Sequence, residues 1–213
     1  MSVITLPSTL KMGPGGGIGQ RRYDLVSQSD ATGAAQVRLL GPPRWTLQLV
    51  QCAVLTLAEA GAWAALVMKL RGRVNVLAAW DPVKGAAARP SGSIAGTLTL
   101  TSSHTAGAVL LYVSGGVGQA FRTIAAGDYF TVGSGVGSSQ MVMCTADNVT
   151  DGSGNVILAI EPPLRLGFAS GAAVAWDKPL AYYRLQNDAT TWSYANGGTM
   201  VTGFSLDLLE TFA

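Results

Sequence analysis

Histidine is the side chain that most often activates a nucleophile or holds a metal ion, and this 213-residue chain has one, His104. One histidine excludes any metal site that needs two, and it leaves Ser–His or Cys–His catalysis dependent on a single position. His104 lies in residues 101–107 (TSSHTAG), a composition typical of a turn. We therefore expect a solvated turn histidine without a catalytic role.

Two loops have compositions that suggest ligand binding. The glycine run at residues 13–19 (GPGGGIG) lacks the dinucleotide-binding spacing, a preceding strand and a following Lys-Ser/Thr pair, so it predicts a flexible or closely packed loop. Residues 147–152 (DNVTDG) faintly resemble a calcium loop. However, Val149 stands at a ligand position and Leu158 where the closing glutamate belongs. Residues 151–155 instead predict the turn of a β-hairpin.

The acidic residues and the cysteines also favour structural roles. The chain has 12 Asp and Glu residues, of which Glu59 is placed to cap a helix and Asp81 and Asp151 to start turns. A carboxylate pair for glycoside hydrolysis would meet only in space, so it leaves no sequence pattern. Cys52 and Cys144 lie in apolar segments and are predicted to be small buried residues. We expect no enzyme, no cofactor and no metal site.

The composition is poor in charge. Charged residues make up 12% of the chain, against about 25% in an average soluble domain. Such a surface is either covered by neighbours in an assembly or is a neutral monomer surface of small residues. The net charge of +2 is too weak to predict nucleic-acid binding. No apolar run is long enough to span a membrane, and the N-terminus is not expected to be a signal peptide.

The first part of the chain predicts strands around one helix. Residues 22–27, 35–39 and 44–50 alternate as strands do, and residues 41–43 (GPP) predict a break between the last two. Thr56 and Glu59 form a capping-box pattern at the start of a helical run that continues to Arg71, with Gly72 placed as its C-cap. Residues 74–80 then predict a strand that Asp81-Pro82 ends.

The remainder divides into three parts. Residues 83–95 predict a linker, and residues 96–178 predict an inserted β-domain of short strands between glycine-rich turns. Longer strands return at residues 181–185 and 203–210, with a short one at 191–194. Residues 1–82 and 179–213 are therefore predicted to form one scaffold.

Several local patterns occur together in the order of one known family. They are residues 70–73 (LRGR) and 80–82 (WDP) around the strand–helix–strand unit, residues 126–133 (AGDYFTVG), residues 160–165 (IEPPLR), and residues 183–185 (YRL) with 203–204 (GF) near the end. The chain resembles the distal tail proteins, also called minor tail proteins, of siphophage-type bacteriophages. The resemblance covers most of residues 38–213.

The resemblance implies a fold, a location and partners. The fold is mainly β: a tail-tube-like β-sandwich with one flanking α-helix, interrupted by an inserted small β-barrel or sandwich domain. The location is the virion, at the tip of the phage tail, after assembly in the host bacterial cytoplasm. The partners are further copies of the chain in a ring, usually six-fold, the tail tube and baseplate hub proteins, receptor-binding or fibre proteins on the insertion, and DNA in transit through the lumen. No membrane insertion is expected.

Two sets of residues are candidates for contacts. Arg71 and Arg73, at the end of the helix, could reach a neighbour's carboxylate or line the ring, or they could simply be solvated beside the helix dipole. Tyr112, Tyr129 and Trp176 are candidates for ligand-facing aromatics, although strand aromatics more often belong to a core. Three alternatives stay open: a carbohydrate- or receptor-binding module of the baseplate, a head-decoration or tail-completion protein, and, with least support, a cell-wall hydrolase.

Overall fold

The structure is a computed structural model that describes residues 1–8, 10–30, 32–52, 54–81, 91–187, 190–195 and 200–212. These residues contain one α-helix, α1 (Leu57–Leu70), and a 3₁₀ turn at Val117–Gln119. The strands are β1 (Val3–Thr5), β2 (Gly17–Gln28), β3 (Ala35–Val50), β4 (Leu55–Thr56), β5 (Val76–Ala79), β6 (Thr97–Leu100), β7 (Leu110–Ser114), β8 (Thr123–Ile124), β9 (Tyr129–Gly133), β10 (Ser139–Cys144), β11 (Asn148–Val149), β12 (Asn155–Glu161), β13 (Ala173–Ala175), β14 (Ala181–Leu185), β15 (Ser193–Ala195), β16 (Met200–Thr202) and β17 (Ser205–Glu210). The predicted mainly β fold with one helix is confirmed.

Strands from the two ends of the chain form one sheet. Its six strands have the order β1-β5-β14-β17-β3-β2, in which only β1 and β5 are parallel. Within it, Ala79 of β5 pairs with Ala181 of β14. The chain therefore leaves this sheet and returns to it at neighbouring strands. A smaller sheet, β15-β16-β4, lies beside α1.

The intervening residues form a closed barrel. Its strands follow the order β10-β12-β7-β6-β13-β9 and all come from residues 97–175, with the pair β11-β8 beside it. Alternate residues point into the barrel, where Phe130 and Trp176 are fully buried with ring centroids 4.6 Å apart. The predicted small barrel is confirmed. Most of the linker predicted at 83–95 lies outside the described residues, because residues 82–90 are not among them.

The helix begins where the capping pattern predicts. The Thr56 hydroxyl accepts the Glu59 N–H, and the Glu59 carboxylate accepts the Thr56 N–H, so both orphan donors are satisfied. The inner face buries Trp63, which stacks on Phe204 at 5.7 Å. The left-handed conformation that ends the helix starts at Arg71, with φ 49°, one residue before the predicted Gly72.

Two expectations about breaks in the first strands are wrong. β3 continues through Gly41-Pro42-Pro43, because the register between β2 and β3 shifts near Tyr23, opposite the prolines. Strand β17 pairs with β3 only at residues 46–50, so the missing proline N–H groups interrupt no central ladder. The glycine run is not wholly a loop, since Gly17 and Gly19 belong to β2.

The turn predicted at residues 151–155 forms, but it does not join a hairpin. The Asp151 carboxylate accepts the N–H groups of Ser153 and Asn155, and these hydrogen bonds lower its pKa. However, β11 pairs with β8, whereas β12 pairs with β7 and β10. The turn therefore redirects the chain between two different pairings.

Candidate functional site

The β2–β3 hairpin extends past the sheet as a two-stranded ribbon, which we call the arm (residues 24–40). Every described residue of the arm is exposed. Five large hydrophobic side chains are between 54% and 67% exposed, namely Leu25, Val26, Val37, Leu39 and Leu40. An isolated two-stranded ribbon is at best marginally stable in water. The arm thus presents apolar side chains that no described part of its own chain covers.

Both faces of the arm carry exposed apolar side chains. Val26 pairs with Val37, and Asp24 pairs with Leu39. The two pairs are two residues apart along each strand, so these four side chains share one face. On the opposite face Leu25 pairs with Arg38. A half-buried strand would have its apolar side chains on one face, whereas the arm exposes apolar side chains on both.

The outer face of α1 is the second apolar surface. Leu57, Gly61, Ala65 and Met68 recur three or four residues apart, and we call them the helix stripe. All four are exposed, with Leu57 at 55% and Met68 at 63%. A helix on a protein surface normally carries charged residues on its outer face. The stripe carries none over its whole length.

A cluster of contacts, which we call the junction, joins the sheet to the barrel. It consists of Trp45, Tyr129, Met141, Arg165 and Glu210. The Trp45 indole of β3 donates a 2.7 Å hydrogen bond to the Met141 carbonyl of β10, and its ring meets Tyr129 edge-on at 5.4 Å. Glu210 of β17 accepts the Trp45 main-chain N–H at 3.0 Å and lies 3.7 Å from the Arg165 guanidinium. These contacts hold the two bodies in one orientation.

Burial dominates the electrostatics of this cluster. It raises the pKa of Glu210 to about 7, against the smaller lowering effects of the Trp45 N–H, Arg165 and Arg44. Burial also lowers the pKa of Arg165, whose guanidinium lies over the Phe212 ring at 3.7 Å. Glu210 is therefore the group of this junction that changes charge near neutral pH.

The two predicted arginines lie just after the helix. Arg71 is exposed at the helix C-cap, and the Arg73 guanidinium donates to the Gln186 carbonyl after β14. One of the two is thus tied to its own chain. Their contact with a neighbour or the lumen stays a prediction.

Tyr112 lies on the outer surface of the barrel and is 45% exposed. It borders an open depression together with Thr101, Asn148, Asn155 and Ile157. His104 packs behind it, with ring centroids 5.6 Å apart, and accepts the Tyr112 N–H. His104 is 8% exposed, and burial lowers its pKa. The expected solvated turn histidine is therefore wrong, because the imidazole supports the tyrosine from inside.

The other two predicted aromatics face inward. Trp176 is fully buried in the barrel core against Phe130, so the prediction that it faces a ligand is wrong. Tyr129 is half-buried against Trp45 at the junction, and burial raises its pKa. Its side chain serves the junction rather than an open surface.

Reactive groups are few among the described residues. Within the described ranges, no three His, Cys, Asp or Glu side chains lie close enough to hold a metal ion. Cys144 is buried as expected, but Cys52 is exposed, so that half of the cysteine prediction is wrong; neither forms a disulfide. None of the helices in the described part of the chain has the length and hydrophobicity that crossing a bilayer requires.

Comparison with known proteins adds no family. The sequence matches no protein-family model and no curated protein. The geometry of the chain itself must therefore support any function.

Sequence reasoning missed the arm and the junction. The arm did have a signal: apolar residues occupy both alternation sets of 24–28 and 35–40, which a strand with one solvent face does not show. The junction had none, because Trp45, Met141, Arg165 and Glu210 are far apart along the chain and meet only in the fold.

Proposed function

We propose that this chain is a non-enzymatic structural subunit of a bacteriophage tail. Copies of it form a ring at the distal end of the tail and join the tail tube to the baseplate hub. Receptor-binding or fibre proteins dock on the barrel, and DNA passes through the lumen. The sequence patterns that resemble distal tail proteins support this location in the tail, and the mainly β fold with one helix is compatible with it.

The observation that carries this proposal is the arm. Its five exposed hydrophobic side chains would be unfavourable in a free monomer. Burial of apolar surface stabilises association by about 25 cal/mol per Å² before the entropic costs of binding are subtracted. The low charge of the whole chain, 12%, points the same way, because interface cores are depleted in charged residues.

Negative-stain imaging and mass photometry of the purified full chain test this proposal. We expect closed rings of uniform size, with six copies as the resemblance implies. Val37→Glu in the arm should shift the population to monomers while leaving the circular dichroism of the chain unchanged. A wild-type chain that stays monomeric up to its solubility limit would contradict the proposal.

A second candidate function follows from Tyr112. Its exposed ring, fixed from behind by His104 and bordered by Thr101, Asn148 and Asn155, combines an apolar face with polar neighbours, as carbohydrate or receptor sites do. Binding of the full chain to a glycan array, lost in Tyr112→Ala but kept in Phe121→Ala, would favour it. Phe121 is a suitable control because it is 73% exposed and does not border the depression. Identical array signals for wild type and Tyr112→Ala would exclude this site.

A further inference from the structure

We infer that the arm of each copy packs on the helix stripe of the next copy, so that these two surfaces form the contact that closes the ring. The inference rests on the proposed function and adds to it the receiving surface. Neither surface is covered by the described residues of its own chain.

The two surfaces are complementary in shape. On the arm, Val26, Val37 and Leu39 stand out from one face of a ribbon. On the helix, Gly61 and Ala65 form a shallow floor between Leu57 and Met68. Branched side chains on a strand pack well against a helix surface whose centre is made of small residues.

Their lengths also agree. The helix stripe spans eleven rises of the helix, about 16 Å. Residues 24–28 of β2, which pair with 35–39 of β3, span four rises of the strand, about 14 Å. One face of the arm can therefore cover most of the stripe.

Their charges agree as well. The apolar face of the arm carries a single charged residue, Asp24, beside Leu39. The stripe is bordered at its C-terminal end by Lys69. Among the described residues, neither Asp24 nor Lys69 pairs with an opposite charge. An arm that lies along the stripe with Leu39 near Met68 brings these two charges together, and that fixes the direction in which the arm packs.

A second copy is the occupant that satisfies both surfaces at once. Each chain provides one arm and one stripe, so a contact between unlike surfaces covers both on every copy only when the assembly closes on itself. An arm-to-arm contact would leave the stripe exposed.

The test uses two full-length variants, Val37→Glu in the arm and Ala65→Glu in the stripe. Each should abolish rings on its own, because a buried unpaired carboxylate opposes either half of the contact. Mixed in equal amounts, they should form heterodimers and no rings. The intact arm of the Ala65→Glu chain meets the intact stripe of the Val37→Glu chain, and the two remaining surfaces are both blocked. The matched control is Ala146→Glu, at an exposed alanine of the barrel, which should form rings like wild type.

The outcomes distinguish a failure of the arm-to-stripe contact from a failure of the proposed ring. Rings formed by Ala65→Glu as readily as by wild type would overturn the inference and leave the ring intact. Homodimers of the Ala65→Glu chain would show that arm meets arm, and would also overturn it. A wild-type chain without any rings would overturn the proposed function first.

Discussion

The Glu210 carboxylate lies 3.7 Å from the Arg165 guanidinium, across the junction between the open sheet and the barrel. Burial is nevertheless the larger influence on Glu210, since it raises the pKa to about 7 from an ordinary value of 4.5. The ion pair therefore only partly offsets the loss of hydration, as is common for buried pairs.

This balance predicts a pH dependence of stability. Because the folded pKa is raised, the folded chain holds a proton that the unfolded chain releases above pH 4.5. The stability from this group is complete below pH 4.5 and is lost as pH rises through about 7. The loss amounts to about 3 kcal/mol of unfolding free energy. Urea denaturation between pH 4.5 and 8 should show that the unfolding free energy of wild type falls relative to that of Glu210→Gln as the pH rises. A constant difference between the two would contradict the raised pKa.

The indole hydrogen bond of Trp45 predicts a measurable cost of removal. Trp45→Phe leaves the Met141 carbonyl without its donor at a buried site, which costs about 1–3 kcal/mol in addition to the lost volume. Trp63→Phe is the matched control, because the buried Trp63 indole N–H has no partner among the described residues. Chemical denaturation of both variants should therefore show a larger loss of unfolding free energy for Trp45→Phe than for Trp63→Phe. Equal losses would mean that the hydrogen bond adds nothing.

The capping box predicts a specific loss at the start of α1. Thr56→Ala removes the hydroxyl that accepts the Glu59 N–H, and this should lower the unfolding free energy by about 1 kcal/mol. Thr56→Ser keeps the acceptor and should behave as wild type. Thermal unfolding followed by circular dichroism measures both variants, and equal melting temperatures for Ala and Ser would argue against the cap.

The two cysteines should differ in reactivity. Cys144 is buried, and burial raises the pKa of its thiol to about 12, whereas Cys52 is exposed. Since the thiolate is the reactive form, a disulfide reagent at pH 8 should modify one thiol per native chain and two after denaturation. Cys52→Ser should abolish the native reaction. A native reaction that persists in this variant would mean that the barrel opens readily.

Gly154 should tolerate no side chain. It has a φ of 77°, and an added Cβ would lie 1.9 Å from the Gly116 carbonyl oxygen, a backbone atom that cannot move aside cheaply. Gly171 has a similar φ of 82° but open space around it. Gly154→Ala should therefore be several kcal/mol less stable, whereas Gly171→Ala should lose only about 1–2 kcal/mol from backbone strain. Comparable melting temperatures would show that the turn relaxes.

Local signals predicted the parts of this fold that local chemistry determines. The Thr56–Glu59 spacing placed the helix start, and closely spaced turns in residues 96–178 indicated the barrel strands. Alternation could not say which face of a strand is covered, because the same pattern fits a wall of the barrel and a free ribbon. Trp176 could therefore be only a candidate for either a ligand-facing surface or the core, and residues 22–27 and 35–39 were predicted as strands without a sign that they leave the sheet. Contacts such as Glu210–Arg165 depend on the path of the whole chain.

The pairing of Ala79 with Ala181 has a consequence for how the gene can recombine. The segment between these two residues includes the barrel, and its two ends lie side by side on the neighbouring antiparallel strands β5 and β14. Recombination that removes or replaces this stretch of the gene needs only a short turn to reconnect β5 and β14. One barrel could then be exchanged for another while the strands that carry the arm stay unchanged.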